Sequence, residues 1–373
     1  MTIIFSDEQA MLLETALDFC QKRSPIETVR GSLDSSEINR DLWDEMAELG
    51  WLGINVPESF GGLGLGIDSV VPVVESMGRY LMGSPYFASM LVAETLVNAG
   101  SGAQKARWLP ALASGAIGTM ALTEEDGSWL LDKVSASTAS GQSLRVLNGS
   151  KYFVTDADVA DVIIASVNVD GAASLVLIRG DQIDESCIRR ETVIDQTRRS
   201  FQLVLDGIEI PDEQVLLGAD FGHIERTAML LLAAEMTGGL SGVLHLIVEY
   251  LNTRKAFDRY IGSYQSLKHP SSDILLSLEA ARSHLYHAAT VMAGDSGQAE
   301  SSVLMAKTQA SAAYAYAGDR AVQFHGGFGF TFDCDAQLYL RRALWCQHQF
   351  GDEAYLRQRL EPILLDEVSW QGG

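Results

Sequence analysis

The feature that most limits how this chain can fold is a change of hydrophobic period near residue 118 that reverses near residue 224. Up to residue 117 apolar side chains recur at helical spacing. Met11, Leu12, Ala16, Leu17 and Phe19 form one such face, after a Ser6–Gln9 pair that reads as a capping box. Leu42, Trp43, Met46 and Leu49 form another, and the same period resumes over 68–80, 88–99 and 104–113. Between the second and third faces, Pro57, Gly61, Gly62, Gly64 and Gly66 predict a tight irregular loop. From 118 to 224 the pattern is different. Short β-prone runs (Ser143–Leu147, Lys151–Thr155, Val162–Val167, Ser174–Ile178, Ser200–Leu205) alternate with Asn148-Gly149, Asp170-Gly171 and Asp206-Gly207 turns. That spacing predicts an antiparallel sandwich or small barrel, not a βαβ sheet, and no G-x-G-x-x-G follows a strand. Long helical segments then follow over 225–255, 266–292, 300–324, 336–349 and 352–366, which with short connections predict a bundle. The expected organisation is an N-terminal helical domain (1–117), a β domain (118–224) and a C-terminal helical bundle (225–373).

Charge narrows the function. A net charge of −22 and a sequence pI near 4.6 argue against nucleic-acid binding, so an anionic ligand requires a local cationic site. Cys20, Cys187, Cys334 and Cys346 show no C-x-x-C spacing, so neither a zinc site nor a disulfide framework is suggested. The N-terminus is acidic and amphipathic, unlike a signal peptide, and no uninterrupted apolar run reads as a membrane span. A cytoplasmic location is expected.

The stretch Glu249–Lys268 gathers chemistry suited to a dinucleotide. Arg254 and Lys255 fall at a helix end, Phe257 follows, the chain bends over Arg259–Ser263, and Gln265 opens the next helix. A guanidinium fork suits a pyrophosphate and a carboxamide suits a heterocycle edge; taken alone, these residues read more simply as a solvated, dipole-compensated helix end. Gly326, Gly327 and Gly329 allow a backbone to approach a phosphate, or simply end a helix. His284 and His287 share a helix face without the Glu-rich second helix of a di-iron bundle. Arg189-Arg190 and Arg198-Arg199 read as loop cations, available to phosphates or to a neighbouring subunit.

Five segments together resemble the acyl-CoA dehydrogenase family. LGWLGINVPESFGGLGLG (49–66) is similar to its first-domain loop, and ALTEEDGSW (121–129) to its flavin-facing L-T-E-x-x-x-G-S-D segment. LNGSKYFVTDADVAD (147–161) is similar to L-N-G-x-K-x-W-I-T-N, TRKAFDRYIGSYQ (253–265) to R-x-x-F-G-x-x-I-G-x-F-Q, and AVQFHGGFGF (321–330) to Q-x-x-G-G-x-G-Y. The resemblance implies a mainly α fold with a β domain, a tetramer, and FAD shared across a subunit interface. It implies that Leu122, Thr123, Ser128, Phe153 and Thr155 face the flavin of the chain's own site. It further implies that Arg254, Phe257, Gln265, Gln323, Gly326 and Gly327 face the pyrophosphate and adenine end of a neighbour's FAD.

The chain departs from the family at the catalytic base. The family removes an α-proton from an acyl-CoA thioester with a carboxylate while the β-hydrogen leaves as hydride, and most members place that carboxylate in a Y-E-G-T pattern. Here the run is Gln349-Phe350-Gly351-Asp352, and Phe350 stands at the carboxylate's place. The alternative position, counted back from Arg254, is Ala228; Glu225 lies about one turn earlier, with Glu235 and Asp352 as other candidates. Asp352 also reads as an N-cap and Glu225 as a first-turn acid. Trp129 replaces the Asp of G-S-D and Asp258 the Gly after Phe257. Altered first-half motifs beside conserved bundle motifs resemble the base-lacking subunit of bacterial steroid side-chain acyl-CoA dehydrogenases, which form α2β2 tetramers. The expected partners are therefore a homologous subunit, an acyl-CoA substrate and, as a candidate electron acceptor, an electron-transfer flavoprotein. A self-sufficient homotetramer with a displaced base such as Glu225, and a non-flavin structural or regulatory paralogue, are the alternatives.

Overall fold

The computed structural model describes residues 7–140, 144–294 and 297–367. The Ser6 of the expected capping box and the Ser143 of the expected strand lie outside the described residues. The chain divides into two compact units: Asp34–Val70 with Ser84–Thr227, and Met1–Leu33 with Val71–Gly83 and Ala228–Gly373.

The first of these holds α3 and both sheets. Helices α1 (Asp7–Arg23) and α2 (Ile26–Gly31) precede it in sequence; α3 (Arg40–Glu48) opens on Asn39, whose side chain accepts from the Leu42 N–H. The glycine-rich stretch after α3 is an irregular loop with single 3-10 turns at Trp51–Gly53, Glu58–Phe60 and Ile67–Ser69. Gly62 is required there, since a Cβ would sit 2.1 Å from the Val56 carbonyl oxygen. Helix α4 (Val71–Arg79) belongs to the other unit; α5 (Tyr86–Ala99) and α6 (Gly102–Ala113) return to this one. Ser101 and Gln104 form a reciprocal capping box at the start of α6.

The strands are β1 (Gly118–Ala121), β2 (Ser137–Ser140), β3 (Leu144–Asn148), β4 (Ser150–Thr155), β5 (Val162–Val169), β6 (Ala172–Arg179), β7 (Ile188–Glu191), β8 (Ser200–Val204), β9 (Glu209–Pro211) and β10 (Val215–Leu216). One sheet runs β10-β6-β5-β2-β3-β9 with β1 also on β5; the other runs β4-β8-β7. The turn spacing predicts antiparallel pairing, and the structure departs from it at two strands: β1 and β2 both pair with β5 in parallel. The reason is that residues 122–136 carry the chain from β1 past Glu124 to β2 without a hairpin, leaving both strands along one side of β5. The nearly continuous burial of β5 is that of a strand covered on both faces.

The second unit is helical. Helix α7 runs Phe221–Thr253, four residues earlier than the pattern suggests, because Asp220 caps it through the His223 N–H (3.1 Å). A two-stranded ribbon, β11 (Lys255–Ala256) and β12 (Arg259–Tyr260), leads to α8 (Gln265–Ala293), α9 (Ala299–Phe324), α10 (Ala336–His348) and α11 (Glu353–Glu367). The expected absence of a span-like run needs correction. An 18-residue window of α7 has mean hydropathy 1.6, long and apolar enough by composition to cross a membrane; 78% of it is buried inside the protein, as for the central helix of a bundle. α4 and α7 touch through glycine: a Cβ on Gly78 would meet the Glu235 carbonyl oxygen at 2.1 Å, and one on Gly238 the Glu75 carbonyl oxygen at 1.8 Å. Across the bundle, fully buried Arg342 pairs with Glu235 at 2.5 Å.

Candidate functional site

At the C-terminal end of α7 the chain makes a hairpin, not the open bend expected over 259–263. Phe257 and Asp258 form its two-residue turn with φ of +52° and +61°, the left-handed pair that lets strands reverse tightly. The Ile261 N–H donates to the Arg254 carbonyl (2.9 Å) and the Tyr264 hydroxyl to the Ala256 carbonyl (3.1 Å), fixing the hairpin to the helix end. Phe257 is thrown outward, 91% exposed. Arg254 and Gln265, the first residue of α8, are also exposed.

The end of α9 comes to the same region. The buried His325 ring stacks on Tyr250, one turn before Arg254, with centroids 3.9 Å apart. The His325 Nδ1 lies 2.7 Å from the Ala321 carbonyl oxygen. A carbonyl can only accept, so Nδ1 carries the proton. Gln323 precedes this anchor, exposed, and Gly326 (φ +60°) and Gly327 follow it with open space where a Cβ would stand. Gly329 turns inward, its Cβ position 2.0 Å from the Val322 carbonyl oxygen. The Tyr250–His325 stack holds the end of α7, which leads to Arg254 and the hairpin, against the end of α9, which leads to Gly326 and Gly327.

In the β unit, buried Thr123 donates its hydroxyl to the Tyr152 carbonyl (2.6 Å). The backbone of Thr155 accepts from Thr119 (2.6 Å). Phe153, at φ +56°, sits on a bulge in β4 with its N–H on Glu191 and its ring half-exposed. Ser128 lies in a turn whose N–H is held by Asp126 (3.0 Å). Behind this segment Glu124 accepts from Lys151 Nζ (2.8 Å) and from the Ser135 and Ala136 N–H groups (3.0 and 2.9 Å). Lys151 is fully buried and also reaches Ser166 (3.0 Å), which donates to the Leu122 carbonyl. Burial opposes ionisation of Glu124, but Lys151 and the two amides outweigh it and hold the carboxyl at about 2. Burial pulls Lys151 down, with Glu124 opposing.

The paired arginines are not simply solvated loop cations. Arg199 is buried against Asp156 (3.1 Å) and Asp158 and donates to the Ser36 carbonyl, and burial pushes Asp156 up to about 6 against the pull of Arg199. Arg190 donates to the Ser35 carbonyl at 2.5 Å.

Phe350 is buried in the turn after α10, at φ +55°, followed by Gly351 at φ +97°. A Cβ on Gly351 would strike the Tyr355 ring at 2.3 Å. Buried Lys307 of α9 ties this turn down, donating to the carbonyls of Gln347 (3.3 Å) and Gly351 (2.7 Å). Burial draws its ammonium down to about 8, partly opposed by Cys346 and Asp352. Ala228 is fully buried; Glu225 is half-buried in the second turn of α7, not the first. Glu235 is committed to Arg342, and Asp352 caps α11 through the Tyr355 N–H (2.9 Å).

Two family models match: the acyl-CoA dehydrogenase N-terminal domain over residues 6–116 and the C-terminal domain over 224–363. The chain belongs to the acyl-CoA dehydrogenase family. It is 30% identical to acyl-CoA dehydrogenase IpdE2 of Mycolicibacterium smegmatis, over 95% of this chain and 98% of that one. Among solved structures it is similar to the ChsE4–ChsE5 complex of Mycobacterium tuberculosis (TM-score 0.88, 25% identity, 98% and 99% of the two chains). It is also similar to the Tcur3481–Tcur3483 steroid ACAD (TM-score 0.87, 25% identity, 97% and 99%). Acyl-CoA dehydrogenases are FAD-dependent flavoproteins. Within that frame, residue-type reasoning missed Lys151, Lys307 and the Tyr250–His325 stack. The first two carried a signal, a lysine set in a β-prone or apolar run; the stack joins segments far apart in sequence and carried none.

Proposed function

We propose that this acyl-CoA dehydrogenase chain is the base-lacking subunit of a heteromeric enzyme, completing the pyrophosphate and adenine side of FAD in a partner subunit's active site. The observation that carries this reading is the contrast between Phe350 and the α7–α9 helix ends. Phe350 is buried and stands, by the motif resemblance, at the carboxylate's place, and a phenyl ring cannot take a proton. The helix-end groups, in contrast, are exposed and suited to a dinucleotide. Arg254 offers a fork to phosphate, Gly326 and Gly327 let phosphate approach the backbone, Gln265 and Gln323 offer amides, and Phe257 offers an aromatic face. Thr123, Ser128 and Thr155 of the β unit would line the chain's own, altered flavin pocket. Bound FAD supplies the acceptor for the hydride leaving the β-carbon. This chain's contribution is to bind and orient, with proton removal left to the partner.

The substrate class proposed is a bulky acyl-CoA thioester such as a steroid side-chain CoA ester, with an electron-transfer flavoprotein as acceptor. The likeness to a two-chain complex and to a steroid ACAD supports both the heteromer and the substrate. The test is the flavin spectrum of the protein purified alone and co-expressed with a homologous subunit. About one FAD per two chains, bound only on co-expression, is expected; one FAD per chain with turnover from this protein alone overturns the reading. In that case half-buried Glu225, one turn before Ala228, is the residue to change, and loss of turnover in Glu225→Gln with FAD retained would identify a displaced base.

A further inference from the structure

The loop from Gly326 to Asp335 joins α9 to α10 and opens with the glycines proposed above to meet phosphate. It is a run of linked turns. The Gly329 N–H donates to the Gly326 carbonyl (2.9 Å), the Thr331 N–H and hydroxyl to the Phe328 carbonyl (3.0 and 2.7 Å), and the Cys334 N–H to the Thr331 carbonyl (3.2 Å). Each turn begins before or where the last one ends, so a shift at one end of the loop is passed to the other.

Burial does little to hold this loop. Phe328, Phe330 and Phe332, its three largest side chains, are 48, 78 and 54% exposed, and of residues 330–334 only Cys334 is buried. A segment with so few buried apolar contacts keeps one conformation only if hydrogen bonds impose it. One side chain, 305 residues away in sequence from Asp335, imposes three. Arg30 of α2 donates from Nε to the Asp335 carboxylate (2.6 Å), from Nη1 to the Phe332 carbonyl (2.9 Å) and from Nη2 to the Asp333 carbonyl (2.8 Å). A planar guanidinium meets three acceptors spread over four residues, a reach that a lysine ammonium lacks. The clamp is itself fixed: Val29 beside it is buried, and the Ser24 hydroxyl before α2 donates to the Tyr80 carbonyl (3.1 Å).

We propose that Arg30 is a positioning residue for FAD. It fixes the far end of the Gly326–Asp335 loop, as the Tyr250–His325 stack fixes the near end, and so keeps the Gly326–Gly327 backbone in the form that receives the pyrophosphate. The inference rests on the role proposed for those glycines. Arg30 acts through the loop and not on FAD itself, since each of its three nitrogens is already committed to the loop.

Two measurements on Arg30→Met test it. In the purified chain, hydrogen exchange of the Gly329, Thr331 and Cys334 amides should quicken at least about tenfold, while amides within α7 and α9 keep their rates. In the complex co-expressed with a homologous subunit, the FAD dissociation constant should rise at least about fivefold, with the FAD bound at saturation unchanged. The control is Arg359→Met, which breaks an ion pair to Glu300 within the same helical unit; Arg359 and Arg30 are equally exposed, at 24%. It should leave both readouts as in the wild type. Unchanged loop exchange, or normal FAD affinity in Arg30→Met while Arg254→Ala weakens it, overturns the role of Arg30 alone. A loss of affinity in Arg359→Met as large as in Arg30→Met overturns it too, by reducing it to general stability. FAD binding indifferent to both Arg30→Met and Arg254→Ala overturns the assignment of the helix ends, and this inference with it. Should Arg30→Met not fold, Arg30→Lys, which keeps the charge and loses the fork, takes its place in each comparison.

Discussion

Tyr250 and His325 stack at 3.9 Å, and through that contact the end of α7 and the end of α9 hold one another. The stack sets the distance between the Arg254 hairpin and the Gly326–Gly327 loop. His325→Leu loses both the ring contact and the Nδ1–H bond to Ala321, so FAD retention by the complex should weaken about tenfold. Flavin absorbance after gel filtration, set beside the melting temperature, measures this; unchanged retention would show that the two helix ends do not need each other.

Arg254→Ala should separate binding from stability. The side chain is exposed, so the melting temperature should move by less than about 2 °C, while FAD bound per co-expressed complex falls severalfold. Arg254→Lys should restore only part of it, because a point charge lacks the guanidinium fork.

The Glu124–Lys151 pair should make stability depend on acid. Glu124 titrates at about 2 when folded and at 4.5 in the reference state, so its stabilisation is complete above 4.5 and is lost as pH falls toward 2. The stability advantage of wild type over Glu124→Gln should therefore shrink across that window, by on the order of 1 kcal/mol for a pair partly screened by solvent. Urea midpoints at several pH values follow it.

Lys307 gives the opposite sign. Its folded value of about 8 lies below the reference 10.5, so the unfolded chain binds more protons between those limits and this group's contribution to stability rises with pH. Lys307→Met should be less stable than wild type, since it leaves two part-buried carbonyls without their donor, and the gap should widen from pH 8 to 10.5. A gap that narrows over that range would mean the amine is protonated throughout.

Asp258 occupies a left-handed turn position where the related motif has glycine. Asp258→Gly should stabilise the hairpin by about 0.5 kcal/mol, read as a small rise in melting temperature with FAD binding kept.

Much of the architecture was legible because burial leaves a periodic trace. β5 reads as a strand from its apolar run, and the bundle helices from their length. β1 and β2 were not legible: Gly118–Ala121 and Ser137–Ser140 are only four residues each and, apart from Met120, built of small residues, and only their place beside β5 makes them strands. The start of α7 was hidden because Asp220 looks like a loop residue until its side chain caps the helix. The roles proposed for Arg254, Gln265 and the glycines, and the missing carboxylate proposed at Phe350, rest on residue type and motif place alone. The environments that tune Glu124, Lys151 and Lys307 depend on partners far along the chain, which no local pattern records.

The crossing of α4 and α7 is reciprocal. Gly78 rests on the carbonyl of Glu235 and Gly238 on that of Glu75, so each glycine lies against the residue three places before the other. The obstacle at both points is main chain, which has no rotamer by which to step aside. Neither position can acquire even a methyl group while the other stays in place, and a change at one is not rescued by trimming a neighbour. Over evolutionary time these two sites should be among the slowest in the chain to vary, while the side chains around them drift.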